Sequence, residues 1–389
     1  MSEVLFEITK ASLETGMHGF PVGYCTTSRI DSHKGLYYSD LSVTEFASWE
    51  PEQVIYLLDF GREGSKSEVF AFSQELYNRG KCSDKTLEFI HRLPRFGSPM
   101  RMLSTALLIA GLFEGKNDYW EDYLDLIAKI PEIVATVINY HAGWIGNRSS
   151  NPKLGYIENF VHLLNAPNLD RPQLIRALKL FNIFHYDYGG GELSTFVGKV
   201  VASGMEEMYG SISASMCALA GSRHGRSTQD GLGFVAEVLQ ELGPDTTLKK
   251  VEIFLRQRII HEQNILGFGQ AALLVEDPRA TVLYRVAEEM YPADPLCRIA
   301  NLLRIAVPNV LKEDPKNINP FANVEAISGA LISAAGFAYS DYFALLFGMS
   351  RIVGIARQIV YERCEARGGM GTPIVHPEYV FKSRREKVQ

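Results

Sequence analysis

Apolar residues recur with helical spacing along most of the chain after residue 40. The segment 52–60 places four of them on one side of a helix: Val54, Ile55, Leu57 and Leu58. The same spacing occurs in further segments: 123–130, 173–185, 194–221, 232–242, 249–261, 280–291 and 342–366. Strand candidates are almost absent in this part of the sequence. We therefore predict a mainly α fold with helices of about two to seven turns.

A short β-hairpin is predicted near the N-terminus. Polar and apolar residues alternate in 20–30 and in 35–39, and the polar turn 31–34 separates these patches. Two later runs, 208–222 and 326–340, carry no charged residue, but both are shorter than the ~18 to 20 residues that cross a bilayer. They predict helices buried on all sides, and therefore a large helical core.

The composition excludes several classes of protein. A chain of 389 residues is long enough for about two to three domains, and 46% apolar with 22% charged residues is ordinary for a soluble globular protein. The net charge of −6 leaves no broad basic field for nucleic acid or for an anionic membrane. A few local arginines would still suffice to bind a small acid.

The five cysteines, at positions 25, 82, 217, 297 and 364, have neither metal-ligand nor redox spacing. We predict a reduced, cytoplasmic protein without a metal site. Charged residues interrupt the first 19 residues, which predicts that this segment is not a signal peptide.

Glycine and proline concentrate in a few turns. These are 189–191, 221–225, 267–269, 315–320 and 368–373. Backbone that lies close to a ligand often needs glycine, so these turns are candidates for parts of one site. The alternative is that they are ordinary turns between helices.

An ordered series of motifs extends along the chain. Its segments are GFPVGYCTTSRIDSHKGL at 19–36, GYIENF at 155–160, FHYDY at 184–188, LAGSRHG at 219–225, GFGQ at 267–270 with DPR at 277–279, NVEAISG at 323–329 and FGMSR at 347–351. In this order, and with near-identical spacing from about residue 15 to the end, the chain resembles the citrate synthase family. Each motif alone is weak, whereas the ordered set is specific.

The resemblance implies a citrate synthase-like fold, with two helical domains and a short N-terminal β-hairpin. A large domain would contain residues 1–225 and 337–389, and a smaller inserted domain, residues 226–336, would close over a substrate cleft. Because the family assembles as homodimers or as dimers of dimers, we expect a homodimer. Family members join an acyl-CoA co-substrate, most simply acetyl-CoA, to a 2-oxo acid without a permanently bound cofactor.

Two residues match the family's positions for enolate formation. His224 has the position of the donor that stabilises the enol, and Glu325 stands where the family has the aspartate that removes the Cα proton. The extra methylene of glutamate moves the carboxylate by about 1.5 Å unless the site adjusts. The alternatives are a histidine in a surface loop and a solvated acid at a helix start.

Arginines at three positions predict contacts with anionic groups. Arg279 and Arg351 match carboxylate-binding arginines of the family, because a guanidinium makes bidentate bonds to a carboxylate. Arg351 lies in an apolar helical stretch, where a buried arginine needs an anionic partner. A structural salt bridge is the alternative for Arg351, and a surface position at a helix start is the alternative for Arg279. Arg223 is a candidate for binding an additional anionic group.

Three positions depart from the family's pattern for the acceptor. Tyr188 and Gln270 replace two histidines that contact it, and His376 replaces an arginine that the partner subunit supplies. Gln270 donates a hydrogen bond but no proton, and the pKa of a tyrosine is much higher than that of a histidine. The changes at Tyr188 and Gln270 imply an acceptor that is not held as oxaloacetate is. The loss of the arginine implies an acceptor with one carboxylate fewer, a neutral group in its place, or a pocket that is no longer used.

The loop at Gly267, Phe268 and Gly269 matches the CoA-binding turn of the family. The family usually follows it with basic residues that meet the CoA phosphates, whereas 271–276 is neutral to acidic. Lysines and arginines within 249–258 are candidates for that role, although a charged helix face is usually only solvated.

The sequence therefore predicts an acyltransferase of the citrate synthase type that condenses an acyl-CoA with a keto acceptor other than oxaloacetate. One alternative is true citrate or methylcitrate synthase. Another is a non-catalytic binding or regulatory protein, since several site positions depart from the family's pattern, and a third is a thioester hydrolase. The expected partners are small molecules and a second copy of the chain, with no nucleic acid and no membrane.

Overall fold

The computed structural model describes residues 4–146, 148–270, 272–314, 317 and 319–383. Three short strands lie near the N-terminus: β1 (Ser28–Asp31), β2 (Gly35–Tyr38) and β3 (Leu41–Ser42). They form one antiparallel sheet in the order β1-β2-β3, with Ser28 opposite Tyr38.

One side chain fixes the turn of the hairpin. Asp31 Oδ1 accepts hydrogen bonds from the backbone N–H groups of His33 and Lys34, at 2.9 and 3.0 Å. The predicted hairpin is confirmed, but β1 is shorter than the alternating patch. The reason is that β2 ends at Tyr38, and beyond this residue only one backbone hydrogen bond, from the Ser39 N–H to the Thr27 carbonyl oxygen at 2.8 Å, continues the pairing.

Fifteen α-helices make up most of the described residues, so the predicted mainly α fold is confirmed. In chain order they are α1 (Pro51–Phe60), α2 (Lys66–Arg79), α3 (Asp84–Ile90), α4 (Pro99–Glu114), α5 (Tyr119–Ala142), α6 (Tyr156–Leu163), α7 (Arg171–Phe184), α8 (Leu193–Ser203), α9 (Met208–Leu219), α10 (Ser227–Leu242), α11 (Leu248–Ile260), α12 (Pro278–Met290), α13 (Pro295–Leu311), α14 (Glu325–Ala334) and α15 (Phe343–Val360). Several begin with a capping side chain, such as Ser65, which accepts a hydrogen bond from the Glu68 N–H.

Helices α5 and α15 form the centre of the core. All 18 residues of α15 are buried, and it packs against α5, α7, α8 and α9. The stretch Ser340–Glu365 around α15 is long and apolar enough to cross a membrane, but its most apolar 18-residue window is buried inside the protein. It therefore has the environment of a core helix. The two charge-free runs of the sequence form α9 and α14, which are largely buried.

One predicted helix is divided in the structure. The segment 194–221 forms α8 and α9 rather than a single helix. The break follows Ser203, where Gly204 ends α8 and Met205 has a positive φ of 70°. Apolar residues continue with helical spacing through this turn, so the periodicity did not reveal the break.

Helices α10 to α14 pack mainly against one another. Helices α10 and α14 approach closely at Gly231, where a Cβ atom would lie 2.6 Å from the carbonyl oxygen of Glu325. This contact brings Ser227, the first residue of α10, beside the start of α14. The division of the chain into domains at residues 226 and 336 stays a prediction.

The contact at Gly231 predicts opposite effects for two glycines of α10. Gly231→Ala should lower the free energy of unfolding by about 1–3 kcal/mol, because the backbone of α14 has to move away from the new methyl group. Gly233→Ala is the matched control. No atom lies within 4 Å of a Cβ at that position, so this change should raise the same free energy by up to about 1 kcal/mol. Urea unfolding measures both, and equal effects would contradict the close contact.

Candidate active site

The loop at 267–270 lies against the start of α14. Phe268 forms an antiparallel bridge with Ala322, and the Asn323 N–H donates to the Gly267 carbonyl oxygen at 2.9 Å. Gly267 has φ 84°, and a Cβ atom there would lie 3.0 Å from the Cα atom of Ala326. The predicted CoA-binding turn therefore lies beside Glu325, the first residue of α14.

Glu325 lies partly buried between two helices. Its Oε1 atom accepts a hydrogen bond from Ser227 Oγ at 3.3 Å. Burial raises the pKa of the Glu325 carboxyl, while the positive charge of Arg279 and the Ser227 hydrogen bond act in the opposite direction. A carboxylate with a raised pKa is a stronger base than an exposed one, as proton removal from a carbon acid requires.

His224 is held by the start of α8. Its Nε2 atom accepts a hydrogen bond from the Ser194 N–H at 3.2 Å and lies 2.8 Å from Ser194 Oγ. Since Nε2 accepts, the proton of the neutral ring resides on Nδ1, which leaves Nδ1–H as a donor. Burial lowers the pKa of His224, so the neutral ring predominates near pH 7. The side chain is only partly exposed, unlike that of an ordinary surface-loop histidine.

Arg279 is buried and forms an ion pair within its own motif. Its Nε and Nη2 atoms donate to the carboxylate of Asp277, with the shortest bond at 2.7 Å, and its Nη1 atom donates to the Phe184 carbonyl oxygen at 3.0 Å. The Arg279 side chain is 4% exposed and that of Asp277 is 0% exposed. The alternative of a surface arginine at a helix start is therefore wrong.

Arg351 is buried inside α15 and also has an anionic partner. Its Nε atom donates to the His185 carbonyl oxygen at 3.0 Å, and its Nη1 atom binds the carboxylate of Glu192. The guanidinium lies over the ring of Phe347, 4.9 Å from its centroid. The structure thus contains the salt bridge that the sequence left open as an alternative for Arg351. The same guanidinium is the group that the sequence predicts to bind the acceptor.

Tyr188 and Gln270 are joined directly. The Tyr188 hydroxyl donates to Gln270 Oε1 at 2.8 Å, and Gln270 Nε2 donates to Asp277 Oδ2 at 3.3 Å. Arg279 lies over the Tyr188 ring, 4.9 Å from its centroid. Burial raises the pKa of Tyr188 to about 12, so the phenol is protonated and acts as a donor at neutral pH. The structure therefore unites Tyr188, Gln270, Asp277 and Arg279 in one network.

Two predicted site residues lie apart from this network in the single chain. Arg223 and His376 are both exposed, and within the described ranges no hydrogen bond joins either of them to the site residues above. The segment 271–276, which follows the predicted CoA-binding turn, contains one acid, Glu276, and this acid pairs with Arg304 at 2.6 Å. Ala271 lies outside the described residues. In the part of the chain that the structure describes, no group of His, Cys, Asp or Glu side chains is placed to hold a metal ion.

Sequence reasoning missed several residues that organise the site, among them Asp277, the partner of Arg279. Glu192 binds Arg351, Ser194 orients His224 and Ser227 binds Glu325. The sequence offered one indication of a role for Glu192, because this acid lies directly between the glycine turn 189–191 and the first residue of α8. The glycine turns at 189–191, 221–225 and 267–269 each adjoin a site residue.

Comparison with known proteins identifies the family. The family model of the citrate synthase C-terminal domain matches residues 16–378. The curated mitochondrial citrate synthase of Citrus maxima is 30% identical, with 96% of this chain and 82% of the relative covered. Mitochondrial citrate synthase 4 of Arabidopsis thaliana is 31% identical, over 92% of this chain and 80% of the relative. The chain therefore belongs to the citrate synthase family of acyltransferases, which form carbon–carbon bonds.

Solved structures show the same fold. Citrate synthase from Pyrobaculum aerophilum superposes with a TM-score of 0.82 at 24% identity, covering 96% of this chain and 93% of that one. Citrate synthase from Thermoplasma acidophilum, solved with carboxymethyl coenzyme A and oxaloacetate, has a TM-score of 0.79 at 22% identity, with 99% of each chain covered. The resemblance found in the sequence is confirmed. Among the activities that the sequence left open, true citrate synthase agrees best with the names of these relatives.

The buried ion pair of Arg279 predicts a large effect on stability. Asp277→Asn should lower the free energy of unfolding by about 3–5 kcal/mol, because the guanidinium stays buried without a counter-charge. Glu68→Gln, which breaks the exposed pair between Arg62 and Glu68, is the control and should have little effect. Urea unfolding measures both variants. Similar small effects would show that the charge of Asp277 is not needed beside Arg279.

Proposed function

We propose that this protein condenses acetyl-CoA with a 2-oxo acid and releases free CoA. The observation that carries the proposal is the partly buried Glu325 carboxylate, whose pKa is raised by burial and which Ser227 holds at the start of α14. The charge of Arg279 acts on Glu325, and the charge of Glu325 acts on the pKa of Tyr188. The base therefore lies near the groups that the sequence predicts for the acceptor.

The proposed reaction proceeds by proton removal, carbon attack and hydrolysis. Glu325 takes a Cα proton from the thioester, while the His224 Nδ1–H donates a hydrogen bond to the enolate oxygen. The enolate carbon attacks the keto carbon of the acceptor, and the former carbonyl oxygen takes up a proton as it becomes a hydroxyl group. Water then cleaves the thioester bond and gives a carboxylate and CoA thiol.

The relatives support oxaloacetate as the acceptor, which would make the product citrate. A second candidate is a 2-oxo acid with a single carboxylate. A specific observation favours it: Arg351, one of the two arginines predicted to bind acceptor carboxylates, is paired with Glu192, an acid outside the family motifs quoted above. The proton donor for the new hydroxyl group also differs from the family's pattern, because Tyr188 and Gln270 take the place of its two histidines.

Further features of the proposal follow from the family and from the surface of the chain. A homodimer is supported by exposed apolar side chains, such as Leu112 on α4 and Tyr379 and Phe381 near the C-terminus. In a dimer, His376 is proposed to reach the site of a second copy.

The five cysteines are all free, which supports a reducing compartment, and a cytoplasmic location remains our proposal. Closure of residues 226–336 over the cleft would exclude water from the enolate.

A panel of substrates tests the proposed function. Acetyl-CoA and propionyl-CoA are each incubated with oxaloacetate, pyruvate, 2-oxobutanoate and 2-oxoglutarate, and the release of free thiol is followed. Mass spectrometry identifies the product, since oxaloacetate decarboxylates to pyruvate in solution. Thiol release without an acceptor would indicate a hydrolase. No release with any acceptor, together with no CoA-dependent change in melting temperature, would indicate a non-catalytic protein.

The role of Glu325 predicts the loss of a partial reaction. Glu325→Gln should abolish the exchange of the acetyl Cα protons with deuterated solvent, because the amide has no basic site at neutral pH. Glu325→Asp is the matched control, since it keeps a carboxylate on a shorter side chain and should retain measurable exchange. Proton NMR of the acetyl group follows both. Wild-type exchange in Glu325→Gln would exclude Glu325 as the base.

The hydrogen bond from Ser227 predicts a shift in the pH dependence. The base must be ionised, so exchange should fall as the pH decreases through the raised pKa of Glu325. Ser227→Ala removes a donor that stabilises the ionised carboxylate, so the pKa rises further and the acid limb moves to higher pH. The rate of exchange measured against pH in both proteins checks this prediction. An acid limb that moves to lower pH would contradict the assignment.

A further inference from the structure

Glu192 supplies a carboxylate at the position where an acceptor carboxylate is expected. Arg351 matches an acceptor-binding arginine of the family, and in the structure its Nη1 atom already binds Glu192. The Arg351 side chain is 2% exposed, whereas that of Glu192 is 27% exposed. The buried cation is therefore neutralised by an acid that remains in partial contact with solvent.

The residues on either side of Glu192 restrict its position. The residue follows the turn 189–191, where Gly189 has φ 67°, and it directly precedes the first turn of α8. In that turn Ser194 is fully buried and binds His224. A segment of three residues thus joins the proposed enol-stabilising histidine to the partner of Arg351, which restricts where the carboxylate of Glu192 can lie.

The charges of the site disfavour a second acceptor carboxylate. Arg279 is paired with the fully buried Asp277, and Arg351 is paired with Glu192. Two further acids, Asp187 and Glu325, lie close enough to act on these arginines. A carboxylate that approached Arg351 at Nη1 would compete with Glu192 for that atom and would lie beside a like charge. An uncharged substituent of the acceptor meets no such competition.

We propose that Glu192 is a specificity-determining residue that neutralises Arg351 and selects a 2-oxo acid whose group facing Arg351 is uncharged. This inference rests on the proposed function and assigns its acceptor to the class of 2-oxo monocarboxylic acids. An acceptor with two carboxylates is disfavoured because Glu192 already binds Nη1 of the guanidinium that would bind the second one and neutralises its charge.

The ratio of kcat/KM for oxaloacetate to kcat/KM for 2-oxobutanoate tests the inference. Glu192→Gln keeps the size of the side chain and removes its charge, so the ratio should rise by about tenfold or more, as expected for a charged hydrogen bond that becomes available. Glu192→Asp keeps the charge and should leave the preference for the monocarboxylate. Glu241→Gln, an exposed acid on α10, is the control for the loss of one negative charge.

Several outcomes overturn the inference. One is an unchanged ratio in Glu192→Gln, and another is a wild-type protein that prefers oxaloacetate by tenfold or more, to use an order-of-magnitude limit. A wild-type protein that releases thiol with no acceptor overturns the proposed function instead.

A binding measurement on the wild-type protein covers the case in which Glu192→Gln fails to fold. Calorimetry compares two hydroxy acids that cannot react, malate with two carboxylates and 2-hydroxybutanoate with one. Binding of 2-hydroxybutanoate at least as tight as that of malate is expected. Tighter binding of malate would contradict a neutralised Arg351, even if the condensation reaction were absent.

Discussion

The guanidinium of Arg351 lies within α15, a helix whose every residue is buried, and the neighbouring chain is arranged around this charge. Burial lowers its pKa, and the nearby Asp187 acts in the opposite direction. A buried ion without partners costs several kcal/mol, roughly the whole stability of some domains. The His185 carbonyl oxygen and the Glu192 carboxylate meet this demand, so the segment 185–192 has to run along α15.

The small N-terminal sheet supports the same segment from its other side. The Tyr38 hydroxyl donates to the Ile183 carbonyl oxygen at 2.8 Å, and the hydroxyl groups of Thr27 and Ser28 donate to the Asp187 carboxylate. Ser28 Oγ in turn accepts the Gly189 N–H at 2.7 Å. The sheet contains few residues, yet it holds the turn that leads to Glu192 in place. Its contribution to the site is positional, and no residue of it was predicted to touch a substrate.

The sequence predicted the features whose signal is local. Helical spacing revealed most helices, and contiguous motifs located Glu325, Arg279 and the loop at 267–269. The pairing of Arg351 with Glu192 was not predictable in the same way, because the two residues are 159 positions apart and meet only when the glycine turn packs on α15. The break between α8 and α9 was not predicted, because the spacing of apolar residues is unaffected by a single residue with a positive φ, here Met205. Arg223 and His376 are exposed in one chain, so their predicted roles depend on a second copy or on closure of the cleft.

The close approach of α10 and α14 at Gly231 has a consequence for how the base behaves. Ser227 and Glu325 come from different helices, but those helices touch through backbone and cannot slide apart without losing that fit. The fit between the two helices therefore holds the carboxylate and its hydroxyl donor together. The basicity of Glu325 depends on more than this helix pair, because the charges of Arg279, on α12, and of Asp277, which directly precedes α12, also act on the pKa of Glu325. Since Arg279 also lies over the ring of Tyr188, one guanidinium links the strength of the proposed base to the acceptor side of the site.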